Sequence, residues 1–100
     1  MHIWTEDELI QQMAEFPGWK LRDAALERHF LFKDFSESLA FIVQVGILAE
    51  KADHHPVIHN VYNQVSLRLN THSAGAITNK DTEMALQINT ISASTNPVKI

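Results

Sequence analysis

No cysteine occurs among the 100 residues, which excludes disulfides, a thiolate nucleophile and a cysteine-based metal site. The absence is compatible with a reducing compartment. Long apolar runs are missing too: residues 39–49 form the strongest, but Gln44 interrupts it and it falls short of the ~18–20 residues of a membrane span. The first eight residues, MHIWTEDE, lack the basic start and apolar run of a signal peptide, so a cytoplasmic protein with no membrane partner is expected. The eight Lys and Arg are scattered singly and the net charge is −4. With no basic stripe to collect phosphates, nucleic acid is not an expected partner. Three glycines and three prolines are few enough that each reads as local punctuation.

What remains is an ordinary globular composition, 45% hydrophobic and 20% charged, read as a single domain over residues 1–100. A chain of this length buries only a modest core, so a homo-oligomer is expected. Thr5 and Glu8 have capping-box spacing, and Leu9, Ile10, Met13 and Phe16 follow at helical intervals. This predicts a helix over residues 5–16, stopped by Pro17-Gly18. A short strand over residues 19–23 and a turn near Asp23 lead to a second strand. There Phe30 and Phe32 share one face and His29, Leu31 and Lys33 the other.

Asp34 with Glu37, or Ser36 alone, predicts the cap of a second helix reaching about Ala52. It is apolar on most sides, so it packs on a sheet and on something else, with a subunit interface as one candidate. Pro56 is expected to end it, since the residue before proline is pushed out of the α region. Strands follow over residues 57–62 and 65–71. A turn at Asn63-Gln64 sets partner positions summing to 127, with His55 opposite His72 and Val57 opposite Asn70. Thr78 or Asn79 then caps a last helix with Asp81 in its first turn and Met84, Ala85, Ile88 and Ile91 buried. From Ser92 onward, past Pro97, a fraying tail is expected. The order α-β-β-α-β-β-α predicts an α+β domain, an antiparallel sheet with helices on one face.

Four of the six histidines fall between Glu50 and Asp81: His54 and His55 in Glu50-Lys51-Ala52-Asp53-His54-His55-Pro56, then His59 and His72. His2 and His59 are read as structural. For the cluster, the bland alternative is three polar residues at strand ends. Metal binding fits poorly: His55 and His59 have the i, i+4 spacing of a helical zinc motif, but Pro56 between them precludes that helix. Ser66, Thr71 and Ser73 lie near the histidines, but no nucleophile elbow precedes them. General acid/base chemistry needs only convergence and a tuned pKa, and Asp53, Glu50 or Asp81 is available to orient an imidazole.

The spaced pattern Glu50-Lys51-x-Asp53-His54-His55-Pro56, Tyr62, His72, Asp81 resembles the signature of the pterin-4a-carbinolamine dehydratases. Phe32-Lys33-Asp34-Phe35 and Asn60-Val61-Tyr62-Asn63 resemble family members as well. The likeness runs from Trp19 to the end of the last helix. It implies a four-stranded antiparallel sheet with three helices on one face. It further implies dehydration of 4a-hydroxytetrahydrobiopterin to quinonoid dihydrobiopterin in tetrahydropterin recycling, without metal or organic cofactor. Carried over by position, His54 and His72 are the acid/base pair and His55 orients the pterin. Asp53, Asn70, Thr71 and Ser73 would bind substrate, with Glu50 and Asp81 supporting the imidazoles. Family members form dimers or tetramers. A non-catalytic pterin-binding or dimerisation module with the same fold is the alternative.

Overall fold

The computed structural model describes residues 1–95. Helix α1 (Glu6–Gln12) opens with the predicted capping box. Thr5 Oγ1 accepts from the Glu8 N–H at 3.2 Å, and the Glu8 carboxylate accepts from the Thr5 N–H at 2.9 Å. That backbone N–H, and then the Thr5 side chain, hold the Glu8 carboxyl below the usual carboxylate range. The helix tightens into a 3-10 turn over Met13–Glu15 and stops at Pro17-Gly18. Gly18 has φ +88°, and a Cβ there would lie 2.6 Å from Arg28 Nε. The same guanidinium lies 4.5 Å from the centre of the Phe30 ring and donates to Asn89 Oδ1. Asn89 also accepts from Trp19 Nε1 at 2.8 Å and donates to the Pro17 carbonyl at 3.0 Å. Burial lowers the Arg28 pKa from its ordinary value.

Strands β1 (Lys20–Arg22) and β2 (Ala25–Leu31) form a hairpin around Asp23 and Ala24. Both turn residues are left-handed, with φ 49° and 60°, as a turn matched to strand twist requires, although neither is glycine. Helix α2 (Phe35–Ala52) is capped by Asp34, whose Oδ1 accepts from the Glu37 N–H at 2.9 Å. Phe41, Val45 and Ala49 form its buried stripe. Phe35, Leu39, Val43 and Ile47 form a separate apolar stripe that is 44–59% exposed. A Cβ at Gly46 would meet nothing within 4 Å, so that glycine marks no close approach within the chain.

Strand β3 (Val57–Val61) is an edge and pairs with β4 (Gln64–Leu69), giving the order β1-β2-β4-β3, antiparallel throughout. Here the predicted register needs correction. Val61 pairs with Gln64 and Val57 with Arg68, so partner positions sum to 125 and the turn is Tyr62-Asn63. Two asparagines fix it. Asn60 Nδ2 donates to the Tyr62 and Gln64 carbonyls at 3.1 and 2.9 Å. Asn63 pairs with Phe32 beyond the end of β2, through its backbone carbonyl at 2.8 Å and its side chain at 3.0 Å. Tyr62 takes the left-handed conformation this needs. The shift is by two positions, so each side chain keeps its predicted face.

Leu26, Phe30, Val65, Leu67 and Leu69 face the helices and pack with Leu9, Phe41, Val45, Met84 and Ile88. Phe41 sits 4.7 Å from Phe30 and 5.0 Å from Phe32, centroid to centroid. The opposite face, with Glu27, His29, Ser66 and Arg68, carries no helix. The fold is thus the predicted α+β arrangement of a four-stranded antiparallel sheet and three helices. Helix α3 (Asn79–Thr95) corrects the predicted tail, since Ser92 is helical and 2% exposed; Pro97 lies outside the described residues. The N-terminal segment pins the start of α3: Ile3 bridges Thr78, and Asn79 exchanges two hydrogen bonds with His2. No helix of the described residues is long and apolar enough to cross a membrane.

Gly18→Ala is expected to destabilise the domain by about 1–2 kcal/mol from the left-handed conformation alone, with the Arg28 clash adding to it. A melting temperature lower by roughly 5–15 °C would register this.

Candidate active site

The site begins where α2 ends. The Asp53 N–H donates to the Glu50 carbonyl and the His54 N–H to the Ala49 carbonyl, with Asp53 left-handed at φ 49°. This six-to-one closure satisfies the last helical carbonyls and ends α2 at Ala52, ahead of Pro56. Backbone hydrogen bonding, not the proline, therefore terminates the helix; Pro56 fixes the extended exit into β3. The closure turns His54 and His55 out at a rigid corner.

The two imidazoles part company there. His54 is 10% exposed, and its Nε2 lies 2.6 Å from Asp81 Oδ1. Asp81 is fully buried. Its Oδ2 accepts from Thr71 Oγ1 at 2.7 Å and from the Thr78 N–H at 2.9 Å. The hydroxyls form a directed chain. The Lys80 N–H donates to Thr78 Oγ1 at 3.2 Å, Thr78 donates to Thr71 at 2.7 Å, and Thr71 donates to Asp81. Donors thus surround the carboxylate as a buried charge requires. With Asp81 ionised, the proton of the short contact belongs to His54 Nε2. Nδ1, which has no hydrogen-bond partner among the described residues, is the nitrogen left for exchange.

His55 faces the other way. Its Nε2 meets Glu50 Oε1 at 2.9 Å in a pair that is 56% and 82% exposed, a surface contact worth at most about 1 kcal/mol. His72 opens a 3-10 turn, His72–Ala74, held by Gly75 at φ 60° and by the bridge of Thr71 to Ala76. His55 and His72 line one cleft of about 280 Å³ with Asp23, Ala25, Val57, Arg68 and Asn70.

Arg68 and Asn70, on the wall of the cleft, belong to a polar network. Glu27, 9% exposed on the helix-free face, takes Arg68 Nη1 on Oε2 at 2.5 Å and His29 Nε2 on Oε1 at 2.7 Å. His29 Nδ1 meets Ser66 Oγ at 2.8 Å. The Arg68 hydrogen bond, opposed by burial and aided by His29, holds the Glu27 carboxyl below its ordinary range. Arg68 Nη2 reaches the Asp23 carbonyl at 3.3 Å, and Asn70 Nδ2 the Ala24 carbonyl at 2.7 Å. Arg68 of β4 and Asn70 just past its end thus pin the left-handed turn against the cleft. No group of three or more His, Asp or Glu among the described residues is arranged to hold a metal ion.

The family described as "Pterin 4 alpha carbinolamine dehydratase" matches residues 2–91. The chain belongs to that family. A Prochlorococcus marinus (strain MIT 9515) protein named "Putative pterin-4-alpha-carbinolamine dehydratase" is 41% identical over 90 residues, spanning 90% of this chain and 94% of its own. A Sulfolobus acidocaldarius protein of the same name is 41% identical over 86 residues, 86% of this chain and 94% of the relative. Among solved structures, one described as a transcriptional coactivator/pterin dehydratase from Brucella melitensis superposes with a TM-score of 0.84 at 41% identity. It covers 89% of this chain and 97% of that one.

Of the residues the dehydratase signature nominates, the structure brings His55, His72 and Asn70 to the cleft and Asp81 to His54. Asp53 and Ser73 are exposed at the adjoining turns. Thr71, nominated for substrate, is 3% exposed with its hydroxyl committed to Asp81, so it braces the support of His54 instead. Asn70 donates one amide N–H to the Ala24 carbonyl, which leaves its other N–H and Oδ1 without a partner among the described residues. Asp23, Ala25, Glu27 and Arg68 are absent from the nomination. For Arg68 a signal exists, since strand alternation places it on one face with Asn70 and His72. For Asp23 none does, because only the strand order brings the first hairpin beside β4.

Glu27 supplies a pH test. Its folded pKa is depressed, so its contribution is complete above the unfolded value of about 4.3 and is lost as pH falls through the lower folded value. Wild type should exceed Glu27→Gln by about 1–3 kcal/mol at pH 7. The gap in urea midpoints should close between about pH 4.3 and more acidic values.

Proposed function

We propose that this protein is a cofactor-independent 4a-hydroxytetrahydropterin dehydratase acting by histidine general acid/base catalysis. The observation that carries it is the convergence of His55 and His72 on one cleft, with the Asp81-held His54 at the same corner, in a chain of this family. Dehydration breaks the C4a–O bond, and the hydroxyl leaves as water after taking a proton from an acid. A base removes the N5 proton, and the electron pair of that N–H becomes the C4a=N5 double bond of the quinonoid product. One proton is given and one taken, so two imidazoles suffice and return to their starting states after exchange with water. His72 and His54 are assigned the two transfers, with His55 orienting the substrate. Support for His54 comes from Asp81, which orients the imidazole and stabilises its cationic form. The setting is cytoplasmic tetrahydropterin recycling, with which the lack of cysteine is compatible.

Turnover of freshly generated 4a-hydroxytetrahydrobiopterin tests this. His72→Ala and His54→Ala should each lower kcat by about 10²–10⁴-fold, and His55→Ala should raise KM more than it lowers kcat. Wild-type rates for His54→Ala would move the second transfer to His55. Wild-type rates for both His54→Ala and His72→Ala would sink the mechanism. The coactivator in the description of the Brucella structure favours a second reading, a non-catalytic module of the same fold. Absence of turnover above the uncatalysed rate, with pterin binding intact, would select it.

The quaternary assignment is a homo-oligomer. The exposed Phe35, Leu39, Val43 and Ile47 stripe on α2, and the unpaired edge of β3 with Val57, Val61 and Tyr62 exposed beside it, are surfaces a second copy would cover. Val43→Glu with Ile47→Glu should lower the sedimentation mass if the α2 stripe is the contact; an unchanged mass would remove it.

A further inference from the structure

We propose that Arg68 is a substrate-orienting residue of the cleft, donating from its guanidinium to the ring carbonyl oxygen of the bound pterin. Given the dehydratase assignment, on which this inference rests, the histidines must meet the C4a and N5 end of the bicycle. The pyrimidinone half, with its carbonyl, its ring N–H and its amino group, then falls to the remaining walls. A carbonyl oxygen buried there needs a donor. Ala25 and Val57 offer none. Asn70 has given one of its two amide N–H groups to the Ala24 carbonyl and keeps one neutral donor, and the Asp23 side chain, when ionised, only accepts. Arg68 is the one Lys or Arg side chain lining the cleft and keeps three free N–H groups, and a charged donor makes the stronger hydrogen bond to a carbonyl.

Its placement is that of a fixed group. Arg68 stands opposite Glu27 in the β2–β4 register. Glu27 holds one terminal nitrogen at 2.5 Å and the Asp23 carbonyl holds the other at 3.3 Å. A guanidinium has five N–H donors in a rigid fork, and these contacts use two. With 32% of its side chain exposed, the fork keeps donors for a ligand. A nearly buried carboxylate on a sheet face without helices is unusual, and its service here is to aim this cation. Asn70 Oδ1 and the Asp23 carboxylate flank it as acceptors for the N–H groups of the same ring edge.

The test separates this inference from the activity. Arg68→Met is made together with Glu27→Gln, so that no unpaired carboxylate is left behind, and Arg68→Lys serves as the conservative variant. Steady-state kinetics with 4a-hydroxytetrahydrobiopterin should show KM raised about 10–100-fold in the double variant, with kcat within about threefold, and partial recovery in Arg68→Lys. Equilibrium binding uses two probes that do not react, 7,8-dihydrobiopterin and a 2,4-diaminopteridine whose 4-amino group replaces the carbonyl. Wild type should prefer the 4-oxo probe by about tenfold or more, and the double variant should lose that preference. A folded double variant that keeps the wild-type KM and the 4-oxo preference overturns the role of Arg68, as does a wild type that binds neither probe. A wild type that discriminates between the probes yet shows no turnover overturns the dehydratase assignment and leaves Arg68 as a ligand contact.

Discussion

Three donors converge on the buried carboxylate of Asp81, and much of the site's geometry depends on that convergence. An ionised carboxylate at zero exposure persists only when its lone pairs are occupied. Here they hold the first turn of α3, Thr71 just past β4 and the imidazole of His54. One side chain therefore fastens the end of β4, the start of α3 and the corner after α2 to one another. The N-terminal segment adds to this by pairing with Thr78 and Asn79. Because the helix cap and the histidine support are the same group, the domain cannot loosen one without the other.

On the opposite side of the sheet a second carboxylate works in the same way but nearer water. Glu27 joins β2 to β4 through Arg68 and through the His29–Ser66 pair. Arg68 and Asn70 continue the chain of hydrogen bonds to the turn between β1 and β2. That turn is left-handed at two residues that carry side chains, a conformation whose cost must be met by its surroundings. The cleft is thus bounded by a helix-to-strand corner, a 3-10 turn and a pinned hairpin turn, each held by backbone-directed hydrogen bonds.

Most of the elements are legible in the sequence alone. The Thr5–Glu8 box, the Asp34 cap and the alternation of Phe30 and Phe32 are local devices, and local chemistry suffices to place them. Two predictions failed where distant partners intervene. The β3–β4 turn sits at Tyr62-Asn63 because Asn63 bonds to Phe32, which lies just past the end of β2. Residues from Ser92 stay helical because the last turns of α3 remain packed, with Ser92 2% exposed and Ile91 against the core. The site divided along the same line. His54, His55, His72, Glu50 and Asp81 stand out through their spacing, whereas Arg68 gains its place only from pairing with Glu27, and Asp23 only from strand order.

The sequence by itself determined the order of helices and strands, the faces of the strands, the caps and the membership of the dehydratase family, since each follows from periodicity or a spaced motif. Tertiary structure decided which imidazole faces the cleft and which is held by a buried acid. It also converted Thr71 from a ligand candidate into a brace and made a wall of the first hairpin. The physical reason is that charge satisfaction is not local. A buried carboxylate recruits whichever donors the packed fold brings within about 3 Å, and those donors come from segments with no proximity along the chain.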